Sequence, residues 1–239
     1  MVQSHIHNVT PVVLAGGRGT RLHAIVSDRP KVMAVVRGRP FVTYIMDQLI
    51  EAGFIQVILC VGYLAETMIE TLGYEYRNLS IKYSKESHAL GTGGAVKYAM
   101  PLIETSHVLL MNGDSFIDVG LSDFLVWHFD KQFKVSMVLS EVSNVSRYGA
   151  VKLNDNQAII GFIEKSTTIK PGWVNAGIYL FSRELIDESI QSNMFISLEI
   201  DLMPVLLEKI SIGGYSCNSK LIDIGTPESY KVANQLSDK

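Results

Sequence analysis

Cysteine is nearly absent from this chain of 239 residues. Cys60 and Cys217 stand alone, without a CxxC pair or zinc-ligand spacing, which argues against a disulfide framework or a cysteine-held metal. Both read as small buried hydrophobes. Charge is sparse too, at 19%, and the 21 Lys and Arg against 24 Asp and Glu leave a formal net charge of −3. That balance gives no basic footprint for nucleic acid, so any charge that handles phosphate must be local. No stretch approaches the roughly 18 uninterrupted apolar residues of a membrane span. Residues Met1 to Asn8 are polar and lack an apolar core, so no signal peptide is expected and a reducing cytoplasm is the default location. Internal repeats, low-complexity tracts and linkers are also missing. His23, His88, His107 and His128 show no ligand spacing and read as surface or satisfied histidines.

What is present is 47% hydrophobic sequence, enough for one large α/β domain over 1–239. Its first half alternates strand-like and helix-like segments. Val12–Leu14, Gln56–Val61, Ile81–Ser84 and Val108–Met111 read as strands, the near-continuous apolar runs being those of a buried parallel sheet. Phe41–Ala52, Leu64–Leu72 and Ala95–Met100 read as helices. This rhythm predicts a parallel sheet covered on both faces. The second half reads as strands at Val135–Leu139, Ala150–Leu153, Ile159–Ile163, Val174–Phe181 and Lys220–Ile224. Helices are expected near Glu184–Ser189 and Asp201–Lys209, and from Pro227, with Thr226 as N-cap.

The most informative stretch is Leu14-Ala15-Gly16-Gly17-Arg18-Gly19-Thr20-Arg21-Leu22, closed by Pro30-Lys31. Glycines let backbone N–H groups approach an anion and form a concavity for it. A helix start expected just after the loop would add its positive end, and Arg21 and Lys31 can neutralise a polyphosphate. The spacing fits neither the dinucleotide fingerprint, which needs glycine where Leu22 stands, nor Walker A. A second glycine-rich stretch, Leu90 to Ala95, lies between a strand and a helix, where backbone can lie flat against a base or ribose. Glu86 precedes it. A carboxylate can accept from N1–H and the 2-amino group of guanine together, which favours GTP over UTP or dTTP; a solvated surface carboxylate is the plainer reading. Asn112-Gly113-Asp114 ends a buried strand, where ligands gather in such sheets, and a lone Asp there suits Mg²⁺. Asp223 lies among apolar residues, where an unpartnered carboxylate is costly; it reads as a second ligand or a turn aspartate.

The loop GG-x-GTRL followed by Pro-Lys resembles the signature of sugar-phosphate nucleotidyltransferases, and later motifs fall in that family's order from Val12 to about Tyr230. The resemblance implies a Rossmann-like three-layer α/β/α fold with a mixed, mainly parallel sheet. Residues of about 10–130 would form a nucleotide-binding half and those of about 131–239 a sugar-phosphate half. It implies NTP and a sugar 1-phosphate as substrates, D-glycero-α-D-manno-heptose 1-phosphate first among them, with Mg²⁺ as cofactor; a homo-oligomer stays open. Leu14, Ala15, Gly16, Gly17, Gly19, Thr20, Glu86, Gly91, Thr92, Gly94 and Asn112 would bind nucleotide. Arg21, Lys31 and Lys165 would be catalytic, and Asp114 and Asp223 would hold the metal. Gly149, Glu164, Lys165 and Asn175 would bind the sugar phosphate, with Tyr148-Gly149-Ala150 as strand entry; read alone, Glu164-Lys165 is a solvated hairpin pair. Ser197-Leu198-Glu199-Ile200-Asp201 resembles the family's acidic segment, with a structural or sugar-proximal role. Pro30-Lys31-Val32 departs from the family's Pro-Lys-Pro. Alternatives are mannose, glucose or N-acetylmuramate 1-phosphate with GTP, UTP or dTTP, or a non-catalytic nucleotide-sugar sensor. A glycosyltransferase would usually show Asp-x-Asp where this chain has Asn112-Gly113-Asp114.

Overall fold

A computed structural model describes residues 5–22, 25–147, 149–163 and 169–235. The strands are β1 (Val9–Leu14), β2 (Val35–Val36), β3 (Arg39–Pro40), β4 (Gln56–Val61), β5 (Glu75–Tyr76), β6 (Leu79–Lys85) and β7 (His107–Asn112) in the first half. They continue as β8 (Ser115–Phe116), β9 (Val135–Val142), β10 (Ala150–Leu153), β11 (Ile159–Ile163), β12 (Gly172–Ser182), β13 (Ile212–Cys217) and β14 (Ile222–Asp223). The main sheet runs β11-β10-β12-β7-β1-β4-β6-β5, with β9 on β12 and β13 on β9. Parallel pairs join β1 to β4 and β7, β4 to β6, and β9 to β13. Antiparallel pairing ties β12 to β7, β9 and β10 and closes the edges with β5 and β11.

Adjacent residues of one strand feed opposite faces, as strand pleating requires. Val13 packs with Ile45, Met46 and Leu49 of the helix Val42–Glu51 on one side; Val12 packs with Val96 and Ala99 of the helix Gly91–Ala99 on the other. Helices therefore cover both faces, as the alternating pattern predicted, while the sheet is mixed rather than wholly parallel, as the resemblance implies. The chain runs β1, β4, β6 in one direction and then returns to place β7 on the other side of β1. That reversal opens a crevice beyond the carboxyl ends of β1 and β7, where α/β sheets bind ligands.

Several expectations are corrected. No helix starts within residues 15–22 or 25–30; the next helical segment is a 3-10 turn, Lys31–Met33. The first glycine loop therefore works without a helix dipole. The helix expected at Ala95 starts at Gly91, so the second glycine stretch forms its first turn and is not a loop. The helix expected at Asp201 is a π-helical turn, Leu198–Leu202, followed by Met203–Leu207, because Ser197 accepts from the Ile200 N–H and ends the irregular segment early. The helix Leu121–Lys131 and β13 were not anticipated. Thr226 does cap the last helix, Pro227–Gln235: its hydroxyl accepts from the Ser229 N–H at 3.2 Å.

Candidate active site

The carboxyl ends of four neighbouring strands deliver the site. Ala15 follows β1, Gly62 follows β4, Glu86 follows β6 and Gly113 follows β7. Leu14, Gly62, Glu86 and Asn112 at these strand ends, together with the first glycine loop, wall a cleft of about 510 Å³. Leu14, Gly16, Gly17, Gly19, Lys31, Glu86, Gly91, Thr92, Asn112 and Asp114, all singled out by sequence, line it. Ala15 is buried and donates to the Cys60 carbonyl at 2.8 Å, so it stitches β1 to β4 rather than facing the cleft. Thr20 and Arg21 are exposed and do not line this cleft.

The loop leaves its donors unspent. No acceptor among the described residues takes the N–H groups of Gly16, Gly17, Arg18, Gly19 or Thr20. An anion placed there would meet several donors at once. Leu22, fully buried with Ala34, Phe41 and Ile224, anchors the loop's far end. Gly19 adopts φ +59°, and a side-chain carbon on it would lie 2.8 Å from Lys31 Cβ. Only glycine lets the loop cross Lys31 this closely.

Lys31 reaches the cleft through its own local geometry. Pro30 is extended (φ −57°, ψ 145°), and the following 3-10 turn buries Val32 and Met33 in the core. The lysine is left facing inward, 11% exposed, with its ammonium bonded to Asp114 Oδ2. Asp114 and Asp223 are brought together by the short β8–β14 ladder, in which Asp223 pairs with Ser115 and the Ile224 N–H bonds the Asp114 carbonyl at 3.0 Å. Asp223 Oδ1 accepts from the Gly225 N–H and the Ser229 hydroxyl, each at 2.9 Å. It is thus a turn aspartate and a neighbour of Asp114 at once. A side-chain carbon on Gly225 would lie 3.6 Å from Arg21 Nη2 and 3.8 Å from Lys31 Nζ. Both cations therefore converge beside the two carboxylates. Two acids and two cations at one crevice mouth fit a divalent ion together with phosphate oxygens, the donor set hard cations take.

At the other end stands Glu86. Its Oε1 is wedged between two glycines: side-chain carbons on Gly16 and Gly62 would lie 2.9 and 2.7 Å from it. Its Oε2 is buried without a hydrogen-bond partner. Burial pushes the carboxyl above its ordinary range, with the Leu90 N–H and His88 opposing the rise. Glu86 follows β6 and Asp114 follows β7, with β1 and β4 between. Three inter-strand steps separate them, about 14 Å at the usual strand spacing. Asn112 Oδ1 is a second buried acceptor without a partner, at the end of β7.

Other sequence-named residues have structural jobs. Gly94 packs under the 194 segment, where a side-chain carbon would sit 2.5 Å from the Met194 carbonyl. Asn175 sits at a bulge of β12, accepting from the Gly177 N–H at 2.9 Å and donating to the Tyr179 hydroxyl at 2.6 Å. Tyr179 in turn donates to Glu199 Oε1 at 3.0 Å, and Thr92 donates to Glu199 Oε2 at 2.9 Å. Sequence reasoning left Tyr179 unassigned and gave Glu199 a structural or sugar-proximal role; the two residues join the cleft's Thr92 to Asn175. Gly149 takes φ +82° and donates to the Val145 carbonyl, closing a turn that does not line the cleft. Glu164 and Lys165, like Tyr148 and His23, lie outside the described residues. Cys60 is buried, its thiol pushed up to about 12 by burial, and acts as the small hydrophobe expected.

A glycine loop with open N–H donors and a carboxylate with an unpartnered oxygen share one cleft, an arrangement that fits a nucleotide. The chain belongs to the nucleotidyl transferase family, whose model matches residues 10–239. It is 35% identical to a D-glycero-alpha-D-manno-heptose 1-phosphate guanylyltransferase of Aneurinibacillus thermoaerophilus, over 94% of this chain and 96% of that one. It is 33% identical to the protein of the same name from Campylobacter jejuni, over 92% and 96%. Its fold matches HddC from Yersinia pseudotuberculosis with a TM-score of 0.84 at 30% identity, covering 95% and 98% of the two chains. The structure of HddC complexed with GMP-PN matches with a TM-score of 0.82.

Proposed function

We propose that this protein transfers GMP from GTP to a sugar 1-phosphate, with D-glycero-α-D-manno-heptose 1-phosphate as the acceptor, releasing pyrophosphate. The observation that carries the nucleotide is Glu86, a half-buried carboxylate in the cleft wall with one buried oxygen that has no partner. Guanine offers two adjacent donors, N1–H and the 2-amino group, to one carboxylate. Uracil and thymine offer one donor flanked by acceptors, which a carboxylate repels. Family membership and the two similar heptose 1-phosphate guanylyltransferases support the acceptor.

An oxygen of the sugar phosphate attacks the α-phosphorus; the bond from that phosphorus to the bridging oxygen breaks, and pyrophosphate leaves with the electron pair. The nucleophile is already ionised, because a phosphate monoester has a second pKa near 6. No general base is needed, and catalysis reduces to placement and charge neutralisation. The open N–H groups of residues 17–20 and Arg21 would hold the β- and γ-phosphates. Lys31 would neutralise charge developing near the α-phosphate, and Lys165 would orient the acceptor. Asp114 and Asp223 would hold Mg²⁺, which when bound supplies charge neutralisation at the phosphates. No helix among the described residues is long and apolar enough to cross a membrane. We place the activity in the cytoplasm, where GTP is at hand.

The test is pyrophosphate release with Mg²⁺ across four NTPs and several sugar 1-phosphates. Release with GTP and the heptose phosphate supports the reading. Release only with another pair replaces the substrates. Nucleotide binding with no release for any pair favours a nucleotide-sugar sensor.

A further inference from the structure

Phe195 is the one exposed large apolar side chain among the described residues that also lines the cleft. It is 68% exposed. A large aromatic ring left in water at the mouth of a binding site gains most by being covered. Its backbone, however, is fixed. The Ile196 N–H bonds the Leu90 carbonyl at 2.9 Å, and the Gly93 N–H bonds the Ile196 carbonyl at 2.8 Å. The fit is close enough to need glycine on the helix side. Side-chain carbons on Gly91 and Gly94 would lie 2.5 Å from the carbonyls of Ile196 and Met194. The two glycines that a sequence reading gives to the nucleoside therefore also seat the segment that carries Phe195.

This seat decides which end of the cleft the ring serves. Leu90 links the two. Its carbonyl holds Ile196, and its N–H lies toward the Glu86 carboxyl, opposing the rise that burial causes there. Phe195 is thus tied to the Glu86 end, about three strand spacings from Asp114 and the two cations, or about 14 Å. Only the flat, heteroaromatic part of a nucleotide reaches that end if the phosphates sit at the other.

Resting on the guanylyl-transfer reading, we infer that Phe195 packs its ring on the purine held by Glu86, supplying binding that is blind to the base's hydrogen-bonding edge while Glu86 supplies its identity. Stacking a base on an aromatic side chain is sequence-tolerant, because every base has a π-face, and removing one such stack weakens binding roughly 5- to 160-fold.

The experiment measures GDP and inorganic pyrophosphate binding calorimetrically for wild type, Phe195→Ala and Phe195→Tyr, and the KM for GTP and for the sugar phosphate in turnover. Phe195→Ala is expected to weaken GDP about tenfold and raise the KM for GTP in step. Pyrophosphate binding, the KM for sugar phosphate and the melting temperature should stay within error of wild type. Phe195→Tyr should restore GDP binding. Unchanged GDP binding in Phe195→Ala, or a rise in the sugar-phosphate KM instead, overturns the inference and leaves guanylyl transfer standing. A wild-type chain that binds no GDP overturns both.

Discussion

Glutamate 86 to glutamine tests the base assignment most sharply. The substitution keeps size and shape, so the wedge between Gly16 and Gly62 is preserved. It replaces one acceptor oxygen by an N–H₂ group that faces a guanine donor. A hydrogen bond to a charged group contributes about 1.5–3 kcal/mol, and a buried donor left unpaired costs about 1–3 kcal/mol. A loss of about 3 kcal/mol is about 100-fold in kcat/KM for GTP. The assay is steady-state pyrophosphate release with GTP and with ITP, which lacks the 2-amino group. Wild type should favour GTP, and Glu86→Gln should narrow that preference. The pH dependence has a definite sign. Only the ionised carboxylate accepts both bonds, and burial raises the pH at which it protonates. Wild-type kcat/KM for GTP should therefore fall with acidity sooner than an ordinary carboxylate would dictate, and the variant should lack that limb. Because the fold disfavours the charged form, Glu86→Gln should melt no lower than wild type at neutral pH. A variant with kcat/KM for GTP within threefold of wild type, and an unchanged GTP-to-ITP ratio, refutes the reasoning.

Lys31→Ala should cut kcat by about 100-fold or more, the usual effect of removing one preorganised group that stabilises transition-state charge; circular dichroism should show the fold intact, and near-normal turnover would remove Lys31 from the chemistry. Gly91→Ala puts a side chain at φ +73° and 2.5 Å from the Ile196 carbonyl; it should lower the melting temperature by at least about 3 °C, since about 1 kcal/mol shifts a domain of this size by 2–4 °C. His128 is 1% exposed, bonded to Ser136 at 2.7 Å, and held down to about 3 by burial, with His107 edge-on beside it. It stays neutral in the fold while the unfolded chain takes a proton below about 6.5, so stability should fall by about 2 kcal/mol between pH 6 and pH 4. Denaturant titrations should show that slope flattened in His128→Gln, and an equal slope in both proteins would assign the acid sensitivity elsewhere.

Much of the nucleotide half was legible because its signals are local. The buried parallel strands announce themselves as short apolar runs; Gln56–Val61 agrees to the residue with β4. The Pro30-Lys31 pair works through its neighbours alone, since Val32 and Met33 sink into the core and leave the lysine facing the cleft. The helix Leu121–Lys131 was hidden for the opposite reason. Leu121, Phe124, Leu125 and His128 keep helical spacing, but Val126, Trp127 and Phe129 blur its polar face. In β13, Gly213 and Gly214 read as strand breakers. Their small size is demanded by Phe133 and Leu153, which side-chain carbons would meet at 2.5 and 2.4 Å.

By itself the sequence determined which phosphate- and metal-handling groups are present, because glycine loops, cations and strand-end carboxylates carry their properties wherever the chain places them. Its order of motifs also pointed to the family. Only the tertiary structure decided which of those groups meet. The β8–β14 ladder sets Asp223 beside Asp114, 109 positions earlier in the chain. The seat on Gly91 and Gly94 carries Phe195 to the rim from a segment no motif marks. Such pairings depend on long-range packing of surfaces whose complementarity is spread over many residues, and no local spacing encodes it.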